Sequence, residues 1–203
     1  LHGDIQEKGI GYTLIDGYVG IGEKSIDLKI RNKNTNLAFL NKYISTIFGD
    51  LQGRATGHCR VHGKFTSIDF EGDEDGEATA KILVTNVPYT VKDGKVKMSA
   101  GCFDFSGFKV YDGLGGEGVL SGYLKHNHLK DLSYDIQVQA KDMLFYDRSR
   151  ELDMPFYATA GGTGKVHIYG RPGELIVDAQ ARPHDKTQLY FMLDNPNGEG
   201  DVE

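Results

Sequence analysis

Histidines and carboxylates are the residues of this chain best able to do chemistry: there are 7 His and 29 Asp and Glu among 203 residues. His126-x-His128 places two imidazoles on one strand face. With His184 or Asp131 the pair could be drawn as a metal site, because neutral imidazole is the commonest transition-metal ligand. No metalloenzyme motif surrounds them, so they read as two exposed turn histidines before Leu129. His58 and His62 alternate with Cys59 and Val61 and therefore share a polar side with Arg60. The acidic residues cluster in turn-like runs, Asp73-Glu74-Asp75 and Asp112, where carboxylates bond local backbone. A nucleophile elbow, a P-loop and a Rossmann fingerprint are all missing from the sequence, and Gly113 to Gly118 lacks the following helix that a phosphate site uses. The chain reads as a non-enzyme with no catalytic residue, metal or cofactor.

Phe103, Phe105 and Phe108, and the pair Phe156-Tyr157, could line a carbohydrate or lipid site or simply pack a core. Cys59 and Cys102 each sit in an alternating pattern, with Val61 and Ala100 on the same side, and read as small buried hydrophobes with free thiols. Two cysteines make no disulfide framework, and pairing would demand matched geometry. A formal net charge of -6 carries no basic footprint for nucleic acid. No apolar run approaches the roughly 18 residues needed to cross a bilayer. The start, LHGDIQEKG, has neither Met nor a signal-peptide pattern, as expected of an internal fragment.

These residues must be positioned by strands. Gly164 to Gly170 places Val166 and Ile168 on one face and His167 on the other, bracketed by glycine. The same spacing recurs at Gly57 to Gly63, with Cys59 and Val61 inward, and more loosely at Gly116 to Gly122 with Leu120. Gly makes up 27 of 203 residues and Pro only 5, so the excess over the usual ~7% marks turns and bends rather than disorder. Glycines that let neighbouring backbones approach at each repeat imply a strongly curved sheet.

In residues 1–35, leading strands are expected, the clearest at Ser25 to Ile30, with turns at Asp16-Gly17 and Gly20 to Gly22. Then the period changes: Leu37, Leu40, Ile44, Ile47 and Phe48 follow helical spacing and predict one amphipathic helix over 36–48. A repeated β meander follows over 52–193, with turn signals at Gly72 to Gly76, Asp112-Gly113 and Pro172-Gly173, and a tail over 194–203. Asp93-Gly94 between Val87–Val91 and Val96–Met98 predicts a hairpin.

The alternation defines an apolar face. On it fall Cys59 and Val61, then Ala80, Ile82 and Val84, then Met98 and Leu120. Tyr134, Ile136 and Val138 continue it, followed by Val166 and Ile168 and by Val177 and Ala179. With a single helix to cover it, this face is closed by a second sheet in a sandwich or left as the floor of an open groove for a hydrocarbon chain. Periodicity is compatible with both. The expected fold class is all-β, a strongly curved, mostly antiparallel sheet forming an open apolar groove of the β-taco kind.

Three segments carry a family likeness: Asn36 to Gly63 (NLAFLNKYISTIFGDLQGRATGHCRVHG), Gly118 to Asp147 (GVLSGYLKHNHLKDLSYDIQVQAKDMLFYD) and Met154 to Gly170 (MPFYATAGGTGKVHIYG). Together with ELIVDAQARPHDKTQLYF they resemble the TamB family, the translocation and assembly module of the AsmA-like group, in its Bacteroidetes-type form. Where the family often has Gly after the Phe-Tyr pair, this chain has Ala158. The resemblance implies an internal section of a long periplasmic β-structure anchored in the inner membrane of a Gram-negative bacterium. It implies no enzyme activity. It implies phospholipid carried along an apolar groove to the outer membrane and a TamA-like outer-membrane barrel as partner, in support of outer-membrane assembly. A structural or ligand-recognition β-sandwich of the cell envelope is the alternative. Truncated strand edges lead to an expectation of self-association.

Overall fold

The computed structural model describes residues 2–7, 10–45, 48–83, 85–149 and 156–191. Its strands are β1 (His2–Glu7), β2 (Gly11–Gly20), β3 (Ser25–Asn36), β4 (Phe48–Lys64), β5 (Ser67–Ile82) and β6 (Val87–Ser99), followed by β7 (Cys102–Tyr111), β8 (Glu117–Asn127), β9 (Lys130–Arg148), β10 (Phe156–Arg171), β11 (Glu174–Pro183) and β12 (Gln188–Phe191). All belong to one antiparallel sheet. β1 to β11 lie side by side in chain order, and β12 pairs with β10. The sheet is not closed, since β1 and β11 stand at opposite ends of this order. Among the described residues all the strands fall in this one sheet. The leading strands are continuous with the meander, which β4 begins at Phe48 rather than at residue 52. The expected tail, 194–203, lies outside the described residues.

The helix expected over 36–48 is absent. Asn36 is still paired in β3 and Phe48 already paired in β4, which leaves a 3-10 turn, Ala38–Leu40, and a single α-helical turn, Asn41–Ile44. The apolar spacing was real, but an isolated helix shorter than about 15 residues is marginal in water, and the β-branched and aromatic residues here are middling helix formers. Tertiary bonds decide the local shape instead. The Asn41 side chain donates to the Leu51 carbonyl at 2.8 Å and accepts the Leu51 N–H at 2.9 Å, strapping the turn to β4.

Three turn signals lie inside strands. Asp93-Gly94 is a bulge in β6, not a hairpin: Gly76 pairs with Gly94 and Ala78 with Val91, so Glu77 faces two residues. Asp93 has φ of 57°, a conformation that serves a bulge as well as a hairpin turn. Gly94 is required there because the Phe108 ring occupies the space a Cβ would take. Gly72 to Gly76 lies mid-β5, where Lys95 bonds Asp73 at 2.7 Å and reaches Asp75 at 3.5 Å, so the acidic run is paired across strands. Asp16-Gly17 is likewise within β2. Turns do occur at residues 21–24, 112–116 and 172–173.

Buried apolar residues are few: Leu51, Ala55, Val87, Phe108, Val110, Ala140, Met143 and Ala158. Val110, Ala140 and Met143 form one cluster, with Tyr89, Val91, Leu120, Val138 and Phe145 packed on it.

Candidate functional site

Partners across an antiparallel ladder point to the same face, so a face can be followed from strand to strand. One row runs Ile15, Ile30, Cys59, Gly72, Met98, Phe103, Leu124, Tyr134. Another runs Phe108, Leu120, Val138, Val166, Ala179, and a third Gly122, Ile136, Ile168, Val177. Val61 pairs with Leu28 and Phe70, while Ala80 and Ile82 pair with Tyr89 and Val87. The register therefore brings the expected apolar residues to one face from β4 through β11. Val84 lies outside the described residues. Most of the set is half-buried; Ala179 and Val177, the latter at 53% exposure, are exposed.

Glycine in these rows has a steric cause. At Gly164, in β10, a Cβ would meet the carbonyl of Gln180 and the Cα of Ala181 on β11.

Sequence reasoning missed two polar residues on this face. Glu74 pairs with Gly57 on one side and Val96 on the other, in a row with Phe105 and Gly122. Its carboxylate reaches across Gly57 to β3, where Asn32 Nδ2 donates to Oε2 at 2.9 Å and to the Ala55 carbonyl at 3.2 Å. Desolvation pushes the Glu74 carboxyl above the usual carboxylate range. Burial, reinforced by the charge of Glu74, pushes the Cys59 thiol up to about 11. The signal was present in the even-numbered alternation Gly72, Glu74, Gly76, Ala78, Ala80, but the acidic run suggested a turn.

His126 is the second. It is 6% exposed, not a surface turn residue, and its ring lies 4.8 Å from Phe103 and 6.2 Å from Phe70. Its Nδ1 accepts the Leu129 N–H at 3.1 Å, and burial lowers its pKa. His128 turns to Asp69, Nδ1 to Oδ2 at 3.1 Å. No cluster of three or more His, Cys, Asp and Glu with metal-site geometry occurs among the described residues.

The other face is charged and cross-paired. Arg60 forks onto Asp27 at 2.9 and 2.8 Å and holds its carboxyl below the usual range; Lys95 does the same to Asp73. His58, His62 and His167 approach Asp73, Glu71 and Asp135 at 3.6, 3.4 and 3.0 Å. Both thiols are free, and Cys102, paired with Ser99 and Lys125, falls on this polar face rather than the apolar one because Phe103 takes the apolar side.

Strands that are not neighbours also meet. Near the β7–β8 turn, Asp147 N donates to the Thr85 carbonyl at 2.9 Å, Asn86 Nδ2 to the Asp147 carbonyl at 2.8 Å and Tyr89 OH to the Leu144 carbonyl at 2.7 Å. At the opposite strand ends, Phe70 of β5 meets Phe103 of β7 at 5.6 Å, and His128 meets Asp69.

Among the described residues, no helix is long and apolar enough to cross a membrane. Compared with protein-family models, curated proteins and solved structures, the chain matches none.

Proposed function

We propose that this chain is a non-enzymatic, lipid-bearing section of a longer envelope protein, its apolar face forming the floor of an open groove for phospholipid acyl chains. The observation that carries the reading is an apolar face continuous over eight strands of one unclosed sheet. Burial of hydrocarbon against such a surface is favourable by about 25 cal/mol per Å² and needs no chemistry. Contacts of β6 with β9 and of β5 with β7 across the strands between them support a curved sheet. The likeness of residues 36–193 to the TamB family supports a place in the periplasm, between an inner-membrane anchor and a TamA-like barrel, with transport serving outer-membrane assembly. Among the described residues no further strand pairs with the outer edges of β1 and β11, which supports stacking on further β-structure or on a second copy.

Val166→Asp, Ile136→Asp and Val177→Asp test it. In an open groove, urea midpoints without lipid fall by roughly the 1 kcal/mol usual for point mutants, while uptake of a fluorescent phospholipid is lost. If all three variants unfold and lose uptake together, the face is a core and the reading fails.

A further inference from the structure

We infer that the strand ends carrying the β2–β3, β4–β5 and β8–β9 turns form a tip that docks on an anionic lipid bilayer surface. The ligand is the surface of a membrane, so the inference goes beyond the apolar face and does not depend on it. Every second turn of an up-and-down meander falls at the same end of the sheet, and here contacts tie those turns together. The Lys24 carbonyl accepts the Phe65 N–H at 2.7 Å, the Gly101 carbonyl accepts the His126 N–H at 2.9 Å, and His128 meets Asp69 at 3.1 Å. Three large apolar side chains stand out from this end, Ile21 at 83%, Leu129 at 49% and Phe65 at 45% exposure. Each lies within three residues of an exposed lysine, Lys24, Lys130 or Lys64. None of the three ammoniums forms an ion pair or hydrogen bond among the described residues, whereas Arg60, Lys95, Lys109 and Lys141 are all paired with carboxylates. The carboxylates beside them are Glu23, which accepts from Ser25 Oγ at 3.5 Å, and Asp131, which accepts from Asn127 Nδ2 at 3.2 Å, so the lysines keep a net positive charge.

Leu129 carries a sign of its own. His128 and Leu129 have φ of 52° and 63°, the geometry of a two-residue hairpin turn that glycine and asparagine fill without strain. A leucine kept in that conformation and left half-exposed has its use outside the chain. Apolar side chains beside free lysines suit a bilayer: the apolar groups enter the boundary between headgroups and acyl chains, and the lysine stems lie along it with their ammoniums at the phosphates. Exposure alone does not make such a tip. Leu114, at the other end of the strands, is 78% exposed, but its turn, Asp112 to Gly116 with Glu117 next, holds no cation.

The test floats the 203-residue chain with vesicles of choline lipid, alone or with about one-third anionic glycerol-headgroup lipid. The chain should prefer the anionic vesicles by about fivefold, the scale of one net basic charge at such a surface, and lose the preference in high salt. Ile21→Ser combined with Phe65→Ser should weaken binding to anionic vesicles by about tenfold. Lys24→Gln, Lys64→Gln and Lys130→Gln together should remove the anionic preference. Leu129→Gly separates docking from folding, because glycine relieves the turn: the urea midpoint should hold or rise while vesicle binding falls. Leu114→Ser should bind as the unaltered chain does. Absence of vesicle binding, equal binding to both vesicles, or an equal loss in Leu114→Ser would overturn the tip. Uptake of a detergent-dispersed fluorescent phospholipid is read in parallel. Uptake without vesicle binding overturns the tip and leaves the apolar face standing, whereas vesicle binding without uptake supports the tip and overturns the lipid-bearing reading.

Discussion

The two ends of the strands join non-neighbouring parts of the sheet by different means. Near the β7–β8 turn the links end on backbone carbonyls, which accept from the Asp147 N–H, the Asn86 amide and the Tyr89 hydroxyl, and on the buried carboxylate of Asp112, 3% exposed. That carboxylate accepts the N–H groups of Leu114 and Gly116 through Oδ1, at 2.8 and 2.9 Å, and that of Leu144 through Oδ2 at 2.7 Å. At the opposite end the links are side chains: the Asp69–His128 pair and the rings of Phe70, Phe103 and His126. Backbone and amide groups do not titrate in the physiological range and burial pushes the Tyr89 hydroxyl above its ordinary value, whereas imidazoles do titrate there. The first end is therefore a fixed link with a packed cluster beside it, and the second carries an imidazole, His126, whose protonation is opposed by burial.

The contrast is broken most severely by Asp112→Ala. Three N–H groups lose their charged acceptor, and about 4 kcal/mol of stability should go with them, read as a fall in urea midpoint that is insensitive to salt. Retention of the wild-type midpoint would mean that this end is held by packing alone. Gly94→Ala comes next, because the new methyl would have to displace the buried Phe108 ring; overpacking of this kind costs about 1–3 kcal/mol. A crystal structure of the variant should show Phe108 moved.

At the other end, His126→Phe keeps an aromatic ring but removes the acceptor of the Leu129 N–H, for a loss of about 1–2 kcal/mol at pH 8. Its pH profile is the sharper readout. Burial holds the folded-state pKa of His126 below its ordinary value of 6.5, so below pH 6.5 the unfolded chain binds a proton that the folded chain resists. Its neutral-form stability is present above 6.5 and is lost as pH falls toward the folded value. Urea midpoints measured down that range should fall for the wild type and fall less for His126→Phe; parallel curves would show that His126 is not the group responsible. Asp69→Asn should have the smallest effect, under about 1 kcal/mol and smaller still in high salt, because the partner His128 side chain is 38% exposed.

Strand after strand was legible in the sequence because period-two alternation is a local property, and the faces of Cys59, Leu120, Val138 and Val166 follow from parity alone. The apolar face was therefore readable before its neighbours were known. Local signals failed wherever one residue type serves two geometries. Asp93-Gly94 suits both a hairpin turn and a bulge, and only pairing with Gly76 and Ala78 selects the bulge. Helical spacing at Leu37 to Phe48 yielded to the bonds that tie Asn41 to Leu51 of β4, which periodicity does not register. His126 and Glu74 show the same limit for side-chain surroundings. Their identities announced exposed polar groups, and their place on the apolar face was decided by the register that set Phe103 beside one and Gly57 and Asn32 beside the other. Parity determines which face a side chain takes; only the assembled sheet determines what waits for it there.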